Sequence, residues 1–226
     1  MNSIFTLAAC AWPDRRRILL AAGALLALPA WAGRPLATDD AAILDPHDCQ
    51  VEAWHQHTGS LREWWAMPAC RVGDWELGAG KGQASASVLQ AKTMLRNPGE
   101  SGEGWALALT IASQQGPVRQ QILNLPLTMA FLDQAVLCHL NAGWMRPHGA
   151  ATRNTWSAGA EYAFAQRWSA SLESYGSKRQ APTRQVGIRY TLIADRLDLD
   201  ASVAKTSGAR PQLALGMTWA LPHALY

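Results

Sequence analysis

Apolar residues recur at every second position along most of this chain, and that alternation constrains the fold more than any other feature. Leu213, Leu215, Met217, Trp219 and Leu221 alternate with Ala214, Gly216, Thr218 and Ala220. Val186, Ile188, Tyr190 and Leu192 alternate with Gln185, Gly187, Arg189 and Thr191, and Trp156, Ala158, Ala160, Tyr162 and Phe164 with Ser157, Gly159, Glu161 and Ala163. Further runs begin at Trp105, Val136 and Leu197. A period of two marks a β-strand with one apolar face. A soluble barrel would turn that face inward, whereas a membrane barrel turns it toward lipid and keeps small and charged residues inside. Eleven tryptophans in 226 residues, with a mean hydropathy of only −0.09, favour the second arrangement, because tryptophan suits places where one end is dry and the other wet. Beyond residue 32 no apolar run reaches the length of a membrane helix, so within a bilayer only a closed barrel can satisfy the backbone.

The pattern predicts an all-β, up-and-down antiparallel transmembrane barrel of about twelve strands, at 49–58, 61–71, 75–82, 87–96, 105–113, 121–131, 136–145, 155–164, 168–176, 184–194, 197–205 and 211–221. Most are near the roughly 9–11 residues that cross a bilayer at a tilt. An even count places both termini on the periplasmic side, where connections should be short. The stretches 72–74, 132–135, 165–167 and 195–196 are short, while 146–154, 177–183 and 206–210 are longer, as outer loops should be. The 97–104 stretch and the tight Gly59-Ser60 turn break this trend. Pro126 removes a ladder donor inside the sixth strand, so a bulge or a late strand start is expected there. A two-residue turn at Asp195-Arg196 would pair Leu192 with Leu199 and Tyr190 with Ala201, joining apolar faces, and would set Arg189 diagonal to Asp200.

The first 32 residues read as a secretory leader. Arg15, Arg16 and Arg17 precede an apolar run over 18–30, and Ala30-Trp31-Ala32 gives the cleavage pattern. The chain then divides into a leader (1–32), a periplasmic N-terminal segment (33–48) and a barrel (49–226). Loss of the leader lowers the net charge from +3 to +1, which argues against nucleic-acid binding. Pairing Thr58 with Leu61 across Gly59-Ser60 sets Cys49 opposite Cys70. In an exported chain that predicts a disulfide, the alternative being two reduced thiols with the register off by two. Cys138 falls on the lipid-facing side without a partner.

The lumen should contain Glu52, Glu63, Lys92, His139, Glu161, Glu173, Arg189, Asp198 and Asp200. These groups could line a water-filled path or pair into a network that fills the interior. Arg146, Arg153, Lys178, Arg179, Arg184 and Arg210 fall on the outer loops and adjoining strand ends, where lipopolysaccharide phosphates could bind them by charge-assisted hydrogen bonds; ordinary solvated loop charge is the alternative. His55 and His57 share a strand face, but no third ligand has diagnostic spacing, so no metal site and no cofactor are expected. No nucleophile elbow, P-loop or dinucleotide motif is present, and no enzyme is expected.

Arg34-Pro35-Leu36-Ala37-Thr38-Asp39-Asp40-Ala41, then Cys49-Gln50-Val51-Glu52-Ala53 and Leu89-Gln90-Ala91-Lys92-Thr93, resemble the proteobacterial outer-membrane barrel family named for the meta-pathway of phenol degradation. The last strand, Gln212 to Leu221, also looks like a barrel-assembly signal. It is followed by Pro222, a departure from the usual pattern, and by the terminal aromatic Tyr226. The resemblance implies an outer-membrane location and passage of small hydrophobic or aromatic compounds. The expected partners are outer-membrane lipid, lipopolysaccharide and the barrel-assembly machinery, for a monomer. Three functions follow: a passive channel for small solutes, a non-conducting barrel with a filled lumen, and a barrel hydrolase. Asp39 and Asp40 could lie inside the barrel mouth or trail in the periplasm.

Overall fold

A computed structural model of the protein describes residues 36–83, 86–97 and 104–225. The leader, the Arg34-Pro35 opening, residues 98–103 of the 97–104 stretch and Tyr226 lie outside the described residues. Twelve antiparallel strands form one closed barrel in which every strand pairs with its sequence neighbours and the last closes on the first. They are β1 (Cys49–Thr58), β2 (Leu61–Val72), β3 (Trp75–Gly82), β4 (Ser87–Arg96), β5 (Gly104–Gln115), β6 (Gln120–Phe131), β7 (Val136–Pro147), β8 (Arg153–Ala165), β9 (Trp168–Ser177), β10 (Thr183–Ile193), β11 (Leu197–Thr206) and β12 (Gln212–Leu221). The seam between β1 and β12 is laddered along its whole length, from Cys49↔Leu221 to Thr58↔Gln212, so no strand edge is left open.

Polar and apolar residues are sorted inside out relative to a soluble protein. Leu89, Leu172 and Leu215 are 67%, 62% and 64% exposed on the outer wall, whereas Lys92, His139, Glu173 and Gln185 on the inner wall are 4%, 1%, 3% and 1% exposed. Such a wall is stable only where its outside meets hydrocarbon. One rim holds the chain termini of the barrel and the short turns at 73–74, 132–135, 166–167 and 194–196; it is called the turn end below. The opposite rim is the loop end.

Two details of register differ from expectation. β10 and β11 pair Tyr190 with Leu199 and Ile188 with Ala201, two residues from the expected register. The turn takes Ala194-Asp195-Arg196 with Asp195 at φ 55°, and the register shifts between Thr191 and Ile193. A slip of two keeps every side chain on its face, and it brings Arg189 directly opposite Asp200 rather than diagonal to it. Pro126 produces neither a bulge nor a late start. β6 runs unbroken along β7 through Pro126↔Asn141, and its pairs with β5 skip from Leu127 to Asn124 without changing register. Pro68 sits in a similar gap between β2 and β3. Each proline thus omits a bond on one side only, and its neighbours hold the register.

Cys49 and Cys70 stand opposite each other and are bonded, with an S–S distance of 2.06 Å. Alternation places this bridge on the outer face at the turn end. Cys138 is a free thiol on the outer face of β7.

Candidate functional site

The lumen is shaped by a segment that the strand pattern does not reveal. Residues 36–44 run inside the barrel, and their backbone bonds to inward-facing side chains. Glu173 on β9 accepts the N–H groups of Ala37 at 2.8 Å and Thr38 at 2.7 Å, and the Thr38 hydroxyl at 2.8 Å. Gln185 on β10 donates to the same carboxylate at 2.7 Å. Asn141 on β7 accepts from Asp39 N and donates to Asp39 O, at 2.9 and 2.8 Å. Further along, Leu44 N donates to Glu76 at 3.0 Å, and Arg71 reaches Leu44 O at 2.9 Å. Small residues on the wall make room: Ala41 is wholly buried against Ala106 and Ala108 of β5, and a Cβ at Gly159 would stand 3.3 Å from the Thr38 hydroxyl. Asp39 and Asp40 are therefore inside the barrel, and the expected periplasmic segment is an inner lining over 36–44.

The firmest tie is ionic. Lys92 on β4 lies 3.0 Å from Asp39 and 2.6 Å from Asp40. Thr110 on β5 adds a hydrogen bond to Asp39 at 2.7 Å. The lysine side chain is 6% exposed and that of Asp39 11%, so neither could be buried without the other.

A second chain of bonds runs from Ala41 across the barrel. The Thr128 hydroxyl accepts from Ala41 N at 2.9 Å and bonds His139 Nδ1 at 2.9 Å, while His139 Nε2 meets Glu161 at 3.2 Å. Glu161 also lies 3.9 Å from Arg189. With Thr128 donating to Nδ1, the imidazole carries its proton on Nε2 and donates it to Glu161. A hydroxyl, an imidazole and a carboxylate in sequence have the connectivity of a nucleophilic triad. Here the hydroxyl already holds Ala41, and the imidazole is 1% exposed. The arrangement clasps the inner segment.

Beside this segment a cavity of about 600 Å³ reaches the turn end. Glu52, Lys92, Glu161, Arg189 and Asp198 line it together with Asp39, Asp40 and Glu76. Asp198 accepts a hydrogen bond from Thr191 at 2.8 Å. Of the other residues considered from the sequence, Glu63 is at the loop-end mouth and bonded by Gln56. Asp200 is buried, lying against Gly216, where a Cβ would come within 2.6 Å of its carboxylate. Arg146, Lys178, Arg179, Arg184 and Arg210 are exposed at the loop end, whereas alternation puts Arg153 on the inner side of β8. His55 and His57 face outward, and the His55 ring packs on Trp64 at 4.4 Å.

The pattern rule missed several lumen groups. Glu76 and Arg71 share inward parity with Gly78 and Ala69 and could have been found by that parity. Thr110, Thr128 and Asn141 are ordinary polar lumen residues whose role depends on the inner segment. Trp54 and Trp65 also face inward, stacked at 5.9 Å with planes 10° apart and joined by Met67 and Val88. Trp65 lies so close over Gly82 that a Cβ there would come within 2.6 Å of the indole. Their parity matches that of Glu52 and Glu63, a signal that the preference of tryptophan for interfaces masks.

A family model described as Uncharacterised conserved protein UCP029691 matches residues 20–220. Among curated proteins none matches the chain. Among solved structures the chain is similar to the KdgM porin (11% identity, 75% of this chain and 98% of that chain, TM-score 0.66). It is also similar to the same porin in complex with disordered oligogalacturonate (11%, 75% and 98%, 0.64). The COG4313 outer membrane channel from Pseudomonas putida F1 is similar too (10%, 80% and 98%, 0.62). At these identities the likeness is one of fold: a twelve-stranded barrel of the outer-membrane porin architecture.

Proposed function

The chain belongs to that uncharacterised family, and from this premise we propose that it is a monomeric outer-membrane channel that passes small solutes beside its own N-terminal segment. The observation that carries the reading is the pairing of an apolar outer wall with an inner wall of ionisable groups around a cavity of about 600 Å³. A purely structural barrel needs no such space, because small barrels fill with side chains. The inner segment supports a narrow path, since it occupies part of the lumen along β2 to β9.

The lining supports a preference among solutes. Its carboxylates outnumber its cations, with Asp39, Asp40, Glu52, Glu76, Glu161, Asp195 and Asp198 set against Lys92, Arg189 and Arg196 in the cavity lining. An acidic saccharide like the oligogalacturonate bound by the KdgM porin would meet like charge here. Neutral or cationic compounds suit the lining better. Met67, the one member of the inward Trp54, Trp65, Met67 and Val88 cluster that lines the cavity, supports passage of hydrophobic or aromatic compounds, in line with the resemblance to the phenol meta-pathway family. The hydrolase alternative gains no support, because the Thr128–His139–Glu161 chain is spent on the inner segment.

Planar-bilayer recording on the full chain tests this reading. Small conductance steps with a cation-preferring reversal potential are expected, and larger steps from a chain lacking residues 33–44. Absence of conductance from both proteins, with folding shown by heat-modifiable migration, would replace the channel by a closed barrel.

A further inference from the structure

The outer wall treats its two rims differently. At the turn end its outward residues include the aromatics Trp75, Trp105, Tyr162, Phe164, Trp168 and Trp219, which are 39–52% exposed. At the loop end the outward residue second from the strand terminus is basic in six strands. These are His57 (β1), Arg62 (β2), Lys81 (β3), Arg146 (β7), Arg184 (β10) and Lys205 (β11). All but the half-buried His57 are exposed. Each is the outward residue nearest the loop-end terminus of its strand, beyond the apolar belt, whose next outward residues on these strands include Trp64, Trp144, Val186 and Val203.

Carboxylates do not share this face. All seven on the described strands (Glu52, Glu63, Glu76, Glu161, Glu173, Asp198 and Asp200) have inward parity. Among the described residues none of the five collar arginines and lysines forms an ion pair. Some of them face each other: Arg184 is directly opposite Lys205, and His57 is directly opposite Arg62. Arg184 and Lys205 are like charges in a cross-strand pair, which is unfavourable, so an intervening anion would relieve them. Arg96, an outward arginine at the other rim, has a different role, covering the Trp105 ring at 3.5 Å.

We propose that this collar is a docking surface for the phosphates of an anionic lipid leaflet, of the lipopolysaccharide class, surrounding the loop end. Arginine and lysine bind phosphate oxygens by charge-assisted hydrogen bonds, and at this rim they meet headgroups while the belt below meets acyl chains. The proposal rests on the outer-membrane reading. It moves the lipid contact from the loops to the wall: Lys178 and Arg179 are not required, and Lys81, Arg62 and Lys205 join Arg146 and Arg184.

The full chain is reconstituted in phosphatidylcholine vesicles with and without lipopolysaccharide, and the lipid retained after repurification is quantified. The wild type should retain lipopolysaccharide over phosphatidylcholine. The double variant Arg184→Gln with Lys205→Gln should fold, gain thermal stability without lipopolysaccharide, and retain several-fold less of it. The fourfold variant that adds Arg62→Gln and Arg146→Gln should lose at least tenfold. Arg167→Gln, at the turn end, and Lys178→Gln with Arg179→Gln should retain wild-type amounts, and excess inorganic phosphate should displace little. Full retention by the double and fourfold variants, loss through the loop variant alone, or complete displacement by inorganic phosphate would overturn the collar. Failure of the wild type to enter any vesicle would remove the outer-membrane reading and the collar with it, whereas insertion without lipid preference removes the collar alone.

Discussion

Neighbouring residues of one strand live in different solvents. On β12, Leu213, Leu215 and Trp219 are 48%, 64% and 50% exposed, while Ala214 between them is 4% exposed. On β4, Leu89 is 67% exposed and Lys92, on the opposite face, 4%. In a water-soluble protein the leucines would be buried and the lysine exposed. The comparison teaches that apolar burial within the chain is not what organises this fold. The inner wall is held by hydrogen bonds and ion pairs that converge on residues 36–44, and the outer wall depends on what surrounds it.

The two walls should therefore fail in different ways. The largest effect is expected inside. Lys92→Met leaves Asp39 and Asp40 without their cation and should cost about 3–5 kcal/mol, measured by urea unfolding in lipid vesicles. It should also raise conductance as the inner segment loosens. Unchanged stability and conductance would show that the segment is held by something other than this pair. On the outer wall, Leu215→Arg puts a charge where acyl chains are expected and should cost roughly 2–4 kcal/mol if it lies near the bilayer midplane. The same unfolding assay checks it, and a neutral outcome would mean that position 215 is wet. Reducing Cys49–Cys70, whose sequence separation is 21 residues, should cost about 3 kcal/mol at most, on the entropy of the loop it closes. Its effect should fall on the β1–β2 hairpin and leave conductance unchanged. The smallest effect is expected for Arg96→Ala, which removes the cation from the Trp105 face at a cost of about 0.5–1 kcal/mol.

The outer wall was readable in advance because a period of two needs no knowledge of partners: wherever Leu, Ile, Val or Trp alternates with Gly, Ser, Thr or a charge, one face is declared. The Cys49–Cys70 pairing followed because a glycine at φ 63° fixes the Gly59-Ser60 turn. The β10–β11 register was missed by two residues because a three-residue turn and a register irregularity are invisible to face matching, which any even slip satisfies. Residues 36–44 were harder still. They belong to no strand, carry no period, and owe their place to single contacts from β2 to β9 that are distant in sequence. The inward Trp54 and Trp65 show the limit of residue-type rules: parity with Glu52 and Glu63 placed them inside, and the general preference of tryptophan pointed the other way.

Accessibility of adjacent positions tests the sorting of the wall most directly. In a Cys138→Ser background with the native disulfide intact, Thr218→Cys and Met217→Cys are reconstituted separately in lipid vesicles and treated with a charged, water-soluble maleimide. Thr218 lines the cavity and Met217 has outward parity. Rapid labelling at position 218 and protection at position 217 are the predicted result. Labelling at 217 with protection at 218 would mean that the wall faces the other way and would contradict the account.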